Sequence, residues 1–263
     1  MKIYKYGSDS QQYGQLFRPN SEASVPVVIV IHGGYWKDNH SLDTYPTKHI
    51  VEYLLGLNVA VWNIEYRRMN SMGPNITAPW PTILSDVAQG VDFLTIIAEQ
   101  EKIDLKQVMI IGHSAGGHLA TWAASRAMID KQSELYNNAS LAINTVISIS
   151  GVLELRTPAD LGQPLQIEKL LGGQFTRDHC RVKNANPSQL IDNTVNYIII
   201  HGDSDEEVSI NQALSFVENS HSSNVLLHVL KGIGHFQMFP SFNKDLQSWQ
   251  LVQKIINQNL KTP

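Results

Sequence analysis

Six short runs rich in Val and Ile constrain this chain more than any other feature: 27–31 (VVIVI), 58–64 (NVAVWNI), 107–111 (QVMII), 143–149 (INTVISI), 195–200 (VNYIII) and 225–230 (VLLHVL). They are short and predominantly apolar rather than alternating, so they read as strands buried on both faces of a sheet. Longer segments with helical spacing lie between them. In PTILSDVAQGVDFLTIIAEQ, residues Ile83, Leu84, Val87, Val91, Leu94 and Ile97 or Ala98 fall on one face, and Pro81 suits the first turn. Strand and helix in alternation predict an α/β fold with a parallel sheet flanked by helices. KIYKY and QQYGQLF, separated by a short polar turn, read instead as an antiparallel hairpin at the sheet edge, which brings the total to about eight strands.

From Val152 to Leu190 the alternation stops. Pro158, Pro164, Gly172, Gly173 and Pro187 surround one short helical piece, LQIEKLLGG. We expect residues 152–190 to form a cap or lid inserted within one domain spanning 1–263, because loops this long inside compact domains are usually functional. The charge of −4 and the absence of any Lys/Arg cluster exclude a nucleic-acid partner on electrostatic grounds. VPVVIVI is too short to span a bilayer and the first residues lack a signal-peptide core, so no membrane partner and a cytoplasmic location are expected. A single cysteine, Cys180 in RDHCRV, excludes an internal disulfide and a multi-cysteine metal site, and reads as a surface or half-buried thiol.

The stretch VMIIGHSAGGHLA joins a strand to a helix through Gly112, Ser114 and Gly116, a G-x-S-x-G pattern. In a nucleophile elbow of this kind the serine sits on a strained turn that lifts its hydroxyl above the sheet. The N–H of the next residue, Ala115, then lies at a helix N-terminus, where it can stabilise an oxyanion. VVIVIHGGYW supplies a second element. Gly33 sets a turn after the strand, and the N–H groups of Gly34 and Tyr35 become the remaining candidate oxyanion donors.

A serine needs a base, and the base needs an acid to orient it. Of ten histidines, His235 in VLKGIGHFQMF is best placed, because two glycines let its loop swing over the sheet edge. His113 and His118 are tied to the elbow, His32 begins the oxyanion loop and braces it, and His221 and His228 lack flanking glycines. In YIIIHGDSDEEVS, Asp205 is the favoured acid and Asp203 the alternative, while Glu206 and Glu207 are expected to start the next helix.

Together HGGYW, GHSAGGHLA, HGDSDEEV and GIGHF resemble the alpha/beta-hydrolase superfamily, in the branch of hormone-sensitive-lipase-like esterases and kynurenine formamidases. NIEYRRM and PWPTILSDV extend the resemblance over nearly the whole chain from residue 27. The order Ser, Asp, His matches that fold. The resemblance implies an alpha/beta-hydrolase fold, Ser114 as nucleophile, Asp205 as acid, His235 as base, and an oxyanion hole near Gly34, Tyr35 and Ala115. Tyr35 stands where the lipase-like branch has a third glycine, and H-G-G-x-W with Trp36 is the formamidase form. A small-molecule substrate, either a carboxylic ester or an aryl formamide, is therefore implied. Tyr35, Trp36 and Phe236, with Trp80 and Phe175, are the aromatics expected to bind it.

No His-x-x-x-His or His-Glu-x-x-His spacing supports a metal site, and no cofactor is expected. The rival reading is a non-catalytic protein that binds a small ligand on the hydrolase fold. Oligomeric state is open between monomer and homodimer.

Overall fold

A computed structural model describes residues 1–71, 77–220 and 223–260. His221 lies outside the described residues. The apolar runs become β3 (Val25–Ile31), β4 (Ala60–Ile64), β5 (Ile103–His113), β6 (Thr145–Ile149), β7 (Asn196–Gly202) and β8 (Val225–Leu230). The hairpin forms β1 (Lys2–Lys5) and β2 (Tyr13–Phe17). All eight join one sheet in the order β1-β2-β4-β3-β5-β6-β7-β8. β1 and β2 run antiparallel to each other, β2 runs antiparallel to β4, and every other pairing is parallel.

Side-chain alternation along each strand feeds two apolar layers. Val27, Ile29 and Ile31 pack on one side with Leu84 and Val87 of α2 (Thr82–Asp92) and Leu119 and Trp122 of α4 (Ala115–Ala124). Val28 and Val30 pack on the other with Ile50 and Leu54 of α1 (Lys48–Leu55) and Val252 and Ile256 of α8 (Gln247–Asn259). The remaining helices are α3 (Leu94–Ile97), α5 (Leu165–Leu171), α6 (Cys180–Ala185) and α7 (Asn211–Ser220). Among the described residues no helix is long and apolar enough to cross a membrane.

Two sequence expectations need correcting. β8 is an edge strand, with Leu226 and Val229 about half exposed, because among the described residues no strand pairs with its outer side. An edge position cannot be read from composition. The single helix expected from Pro81 onward divides into α2 and α3, where the ladder tightens from Phe93 N–H to Gln89 O to Ile96 N–H to Phe93 O. The expected buried face is retained across the break.

The topology places the motifs. β3, β5, β7 and β8 are parallel members of a continuous half-sheet, so HGGYW, Ser114, the 203–207 turn and the His235 loop all emerge at the same carboxyl edge. Gly116 is what lets the elbow close onto its neighbour. A Cβ there would lie 2.3 Å from Ile31 O and 2.6 Å from His32 O, both backbone atoms that cannot yield cheaply.

Candidate active site

Ser114 takes φ 59° and ψ −123° at the step from β5 into α4. Such a conformation costs a non-glycine residue about 1–3 kcal/mol, and its surroundings hold it there. Its N–H donates to Ile149 O at 2.9 Å, and its carbonyl accepts from His118 N–H at 3.1 Å. Its side chain faces a cleft of about 170 Å³ that it shares with Gly34, Tyr35, Lys37, Tyr45, Gln163, Glu207, His235 and Phe236.

Three successive residues of the loop after β3 have positive φ: Gly34 (106°), Tyr35 (50°) and Trp36 (58°). Lys37 N–H closes the turn on Gly34 O at 2.9 Å, and Met69 N–H binds Trp36 O at 2.8 Å. Among the described residues the N–H groups of Gly34, Tyr35 and Ala115 donate to no protein acceptor.

A buried carboxylate braces this loop from below. Glu65 Oε1 accepts from His32 Nε2 at 2.8 Å and from Tyr66 N–H at 2.9 Å, while Oε2 accepts from Leu42 N–H at 3.2 Å. His32 stacks on Tyr66 with ring centroids 4.5 Å apart. Burial pulls the Glu65 carboxyl upward, but the His32 hydrogen bond and charge outweigh it and hold the group below its ordinary value.

His235 Nδ1 donates to Asp205 Oδ2 at 2.7 Å, and Asp205 Oδ1 accepts from the N–H groups of Glu207 (3.0 Å) and Val208 (2.8 Å). Burial again works to raise the Asp205 carboxyl, and the His235 bond and charge more than reverse it, so it stays ionised below the usual range. Asp203 does something else. It is exposed, and its carboxylate accepts from Gly232 N–H at 2.6 Å, which ties the turn after β7 to the turn after β8.

The structure therefore gathers Ser114, Gly34, Tyr35, His235 and Phe236 at one cleft, with Asp205 bonded to His235 and Ala115 buried directly behind Ser114. Trp36 is not on its wall. Its indole is fully buried and meets His118 edge-on at 5.3 Å, because the positive-φ turn rolls it under the loop. Trp80 and Phe175 also lie elsewhere, with the Arg181 guanidinium 5.5 Å and 5.3 Å from their ring centroids. Glu207 does not begin a helix, since α7 starts at Asn211. It stands on the cleft wall, where its carbonyl accepts from the Tyr35 hydroxyl at 2.7 Å. Gln163, from within the 152–190 stretch, faces it and accepts from Lys37 Nζ at 2.8 Å.

Sequence reasoning missed Tyr45, Lys37, Gln163 and Glu207 on the wall, and Glu65 beneath it. Only Glu65 left a trace, as a charged residue directly after a fully buried, mostly apolar strand. Burying it there requires partners.

The family model named BD-FAE matches residues 15–219. Over 241 residues the chain is 26% identical to "Esterase LipC" of Mycobacterium tuberculosis, covering 88% of this chain and 58% of that protein. Over 122 residues it is 30% identical to a kynurenine formamidase of Meyerozyma guilliermondii, covering 45% and 40%. The chain thus spans about half the length of the curated relatives it matches. Among solved structures it is similar to a truncated carbohydrate esterase from gut microbiota, with TM-score 0.75, 21% identity and coverage of 98% and 96%. It is also similar to Thermogutta terrifontis esterase 2, with TM-score 0.77, 18% identity and coverage of 98% and 92%. These neighbours share its fold, that of the alpha/beta-hydrolases, and since the matched model covers most of its length the chain belongs to the BD-FAE family.

Proposed function

We propose that this protein is a serine hydrolase that cleaves small carboxylic esters through an acyl-enzyme, with Ser114 as nucleophile, His235 as proton carrier and Asp205 as its orienting acid. The observation that carries this reading is the 2.7 Å bond from His235 Nδ1 to the ionised Asp205, at a cleft that also holds Ser114. With Nδ1–H engaged, the neutral ring has its lone pair on Nε2. Nε2 takes the Ser114 proton as Oγ bonds to the carbonyl carbon, and the carbonyl π electrons move to oxygen. The unengaged N–H groups of Gly34, Tyr35 and Ala115 receive that oxyanion, where each such donor is worth about 2.7–4 kcal/mol. Collapse breaks the bond to the leaving oxygen, which takes the proton from Nε2. Water then repeats the sequence on the acyl-enzyme, returning Ser114 and the free acid.

The small volume and the polar wall of Lys37, Gln163 and Glu207 favour a short acyl group on a polar alcohol. Gln163 reaching the cleft supports residues 152–190 acting as the cap. Cleavage of an aryl formamide is the second reading, favoured by Phe236 stacking on Phe242 with centroids 5.1 Å apart and by the partial similarity to a formamidase.

Ser114→Ala should abolish turnover of p-nitrophenyl acetate and labelling by a fluorophosphonate while leaving the melting curve in place. Retained turnover by a folded variant overturns the assignment. Catalytic efficiencies on p-nitrophenyl acetate and N-formylkynurenine, measured on one sample, separate the two substrate readings, and we expect the ester to be preferred.

A further inference from the structure

Three segments distant in sequence converge on one backbone carbonyl beside the cleft. Glu207 O accepts from the Tyr35 hydroxyl at 2.7 Å and from Gly162 N–H at 2.8 Å. The N–H of the same residue donates to Asp205 Oδ1 at 3.0 Å. Glu207 is therefore fixed on one side by the acid that orients His235 and on the other by the oxyanion loop and the 152–190 stretch. Gly162 is itself held in place, because Leu161 bridges Val208 in antiparallel fashion and Ser209 N–H donates to Asp160 O at 2.8 Å. The Tyr35 hydroxyl has no part in the chemistry above.

A carbonyl oxygen only accepts, so the one proton of the Tyr35 hydroxyl lies in this bond. Glu207 Oε2, 3.4 Å away, is too distant to compete for it. Burial, reinforced by the Glu207 carboxylate, pushes the phenol above its ordinary pKa, so it stays a donor. What the bond holds is strained backbone. Tyr35 has φ 50° and Trp36 φ 58°, a region that residues other than glycine keep only where their surroundings over-determine it. Trp36 is held by its buried indole and by Met69 N–H on its carbonyl. Tyr35 has no such hold on its own peptide groups: among the described residues neither its N–H nor its carbonyl is hydrogen-bonded to the protein. Its side chain supplies the polar anchor instead.

We infer that the Tyr35 hydroxyl is a positioning group for the oxyanion hole: it fastens the strained turn to the Glu207 carbonyl and so fixes where the N–H groups of Gly34 and Tyr35 point relative to the acid turn. This rests on the serine-hydrolase reading. Without the anchor the strain favours a relaxed loop, and the aligned share falls by the net worth of one hydrogen bond, about tenfold. An oxyanion forms in acylation and again in deacylation, so both steps lose the same factor.

The test is Tyr35→Phe, which keeps the ring and leaves Glu207 O paired with Gly162 N–H, so no buried acceptor is orphaned. We expect kcat and kcat/KM to fall together, about tenfold, on p-nitrophenyl acetate and equally on ethyl acetate, with KM and Tm nearly unchanged. Affinity for a trifluoromethyl ketone should fall by the same factor: Ser114 Oγ adds to its carbonyl carbon, His235 takes the proton, and the ketone oxygen becomes the oxyanion held by the loop. A loss confined to KM, or one that differs between the two esters, makes the hydroxyl a substrate contact. Parent kinetics make it idle, and a variant that does not fold makes it structural. Each of these overturns the inference and leaves the hydrolase reading intact. Parent enzyme that turns over neither ester and is not labelled at Ser114 by a fluorophosphonate overturns both.

Discussion

Glu65→Gln tests the support beneath the oxyanion loop. The carboxylate is 1% exposed and takes donors from His32 Nε2 at 2.8 Å, Tyr66 N–H at 2.9 Å and Leu42 N–H at 3.2 Å, with Arg68 Nε 3.3 Å from Oε1. Glutamine fits the same space but replaces one oxygen with an NH₂ group. Set in the Oε1 position, that group would face three donors; set in the Oε2 position, it faces only Leu42. The second arrangement wins and leaves the Leu42 N–H buried and unpaired, at about 1–3 kcal/mol. The bonds from His32 and Arg68 also lose their charged acceptor, so the total comes to about 3 kcal/mol, the low end of the ~3–5 kcal/mol found when a buried ion pair loses one partner. For a chain of this size that corresponds to a Tm lower by about 6–12 °C. Calorimetry and urea denaturation measure the loss. kcat should fall in parallel, since the N–H groups of Gly34 and Tyr35 ride on the braced loop. A Tm within about 2 °C of the parent, with the urea midpoint unmoved, refutes the reasoning.

Asp205→Asn should lower kcat on the order of 10⁴-fold through loss of the charge and tautomer control at His235. Asp203→Asn, whose carboxylate takes hydrogen bonds from Gly232 N–H and the Ser204 hydroxyl, should leave kcat within about threefold, the scale of an exposed hydrogen bond; equal losses in the two would contradict the division of roles. Stability should fall on the acid side. In Glu65, Glu154 and Asp205 burial raises the carboxyl but is outweighed by hydrogen bonds and charges from His32, Arg156 and His235, so each folded pKa lies below its unfolded value. Their stabilisation is complete above the unfolded value of about 4 and is lost as pH falls through the lower folded ones. Melting curves from pH 8 down to pH 3 should therefore show Tm declining below about pH 6.5, where unfolded histidines protonate while desolvation keeps His113, His118 and His201 neutral, and falling more steeply below about pH 4 as the carboxylates protonate; Glu65→Gln should flatten the second part.

Local pattern carried a large part of this protein. Apolar runs at strand length and helical spacing between them depend on neighbours a few residues apart, and they were sufficient for eight strands and for the parallel half-sheet. The glycine-flanked Ser114 and the Gly33-Gly34 pair were legible for the same reason, because a sharp turn after a strand restricts the residues that can make it. Aromatics were not legible in this way. Tyr35, Trp36 and Phe236 look alike as cleft candidates in sequence, yet the backbone turn sends the Trp36 ring into the interior and leaves the other two on the wall.

What the sequence determined by itself is the fold class and the edge of the sheet where chemistry can occur, since strand order and direction bring the motif loops to one side whatever the loops contain. Which side chains meet there was decided by tertiary structure alone. His235 meets Asp205 across 30 residues, Glu65 meets His32 across 33, Tyr45 meets His113 across 68 and His113 meets the His235 carbonyl across 122. Periodicity says which face a residue occupies on its own element. It says nothing of the rotamer or the partner chosen when two distant loops pack, because a hydrogen bond is won or lost over a few tenths of an ångström that only the assembled core sets.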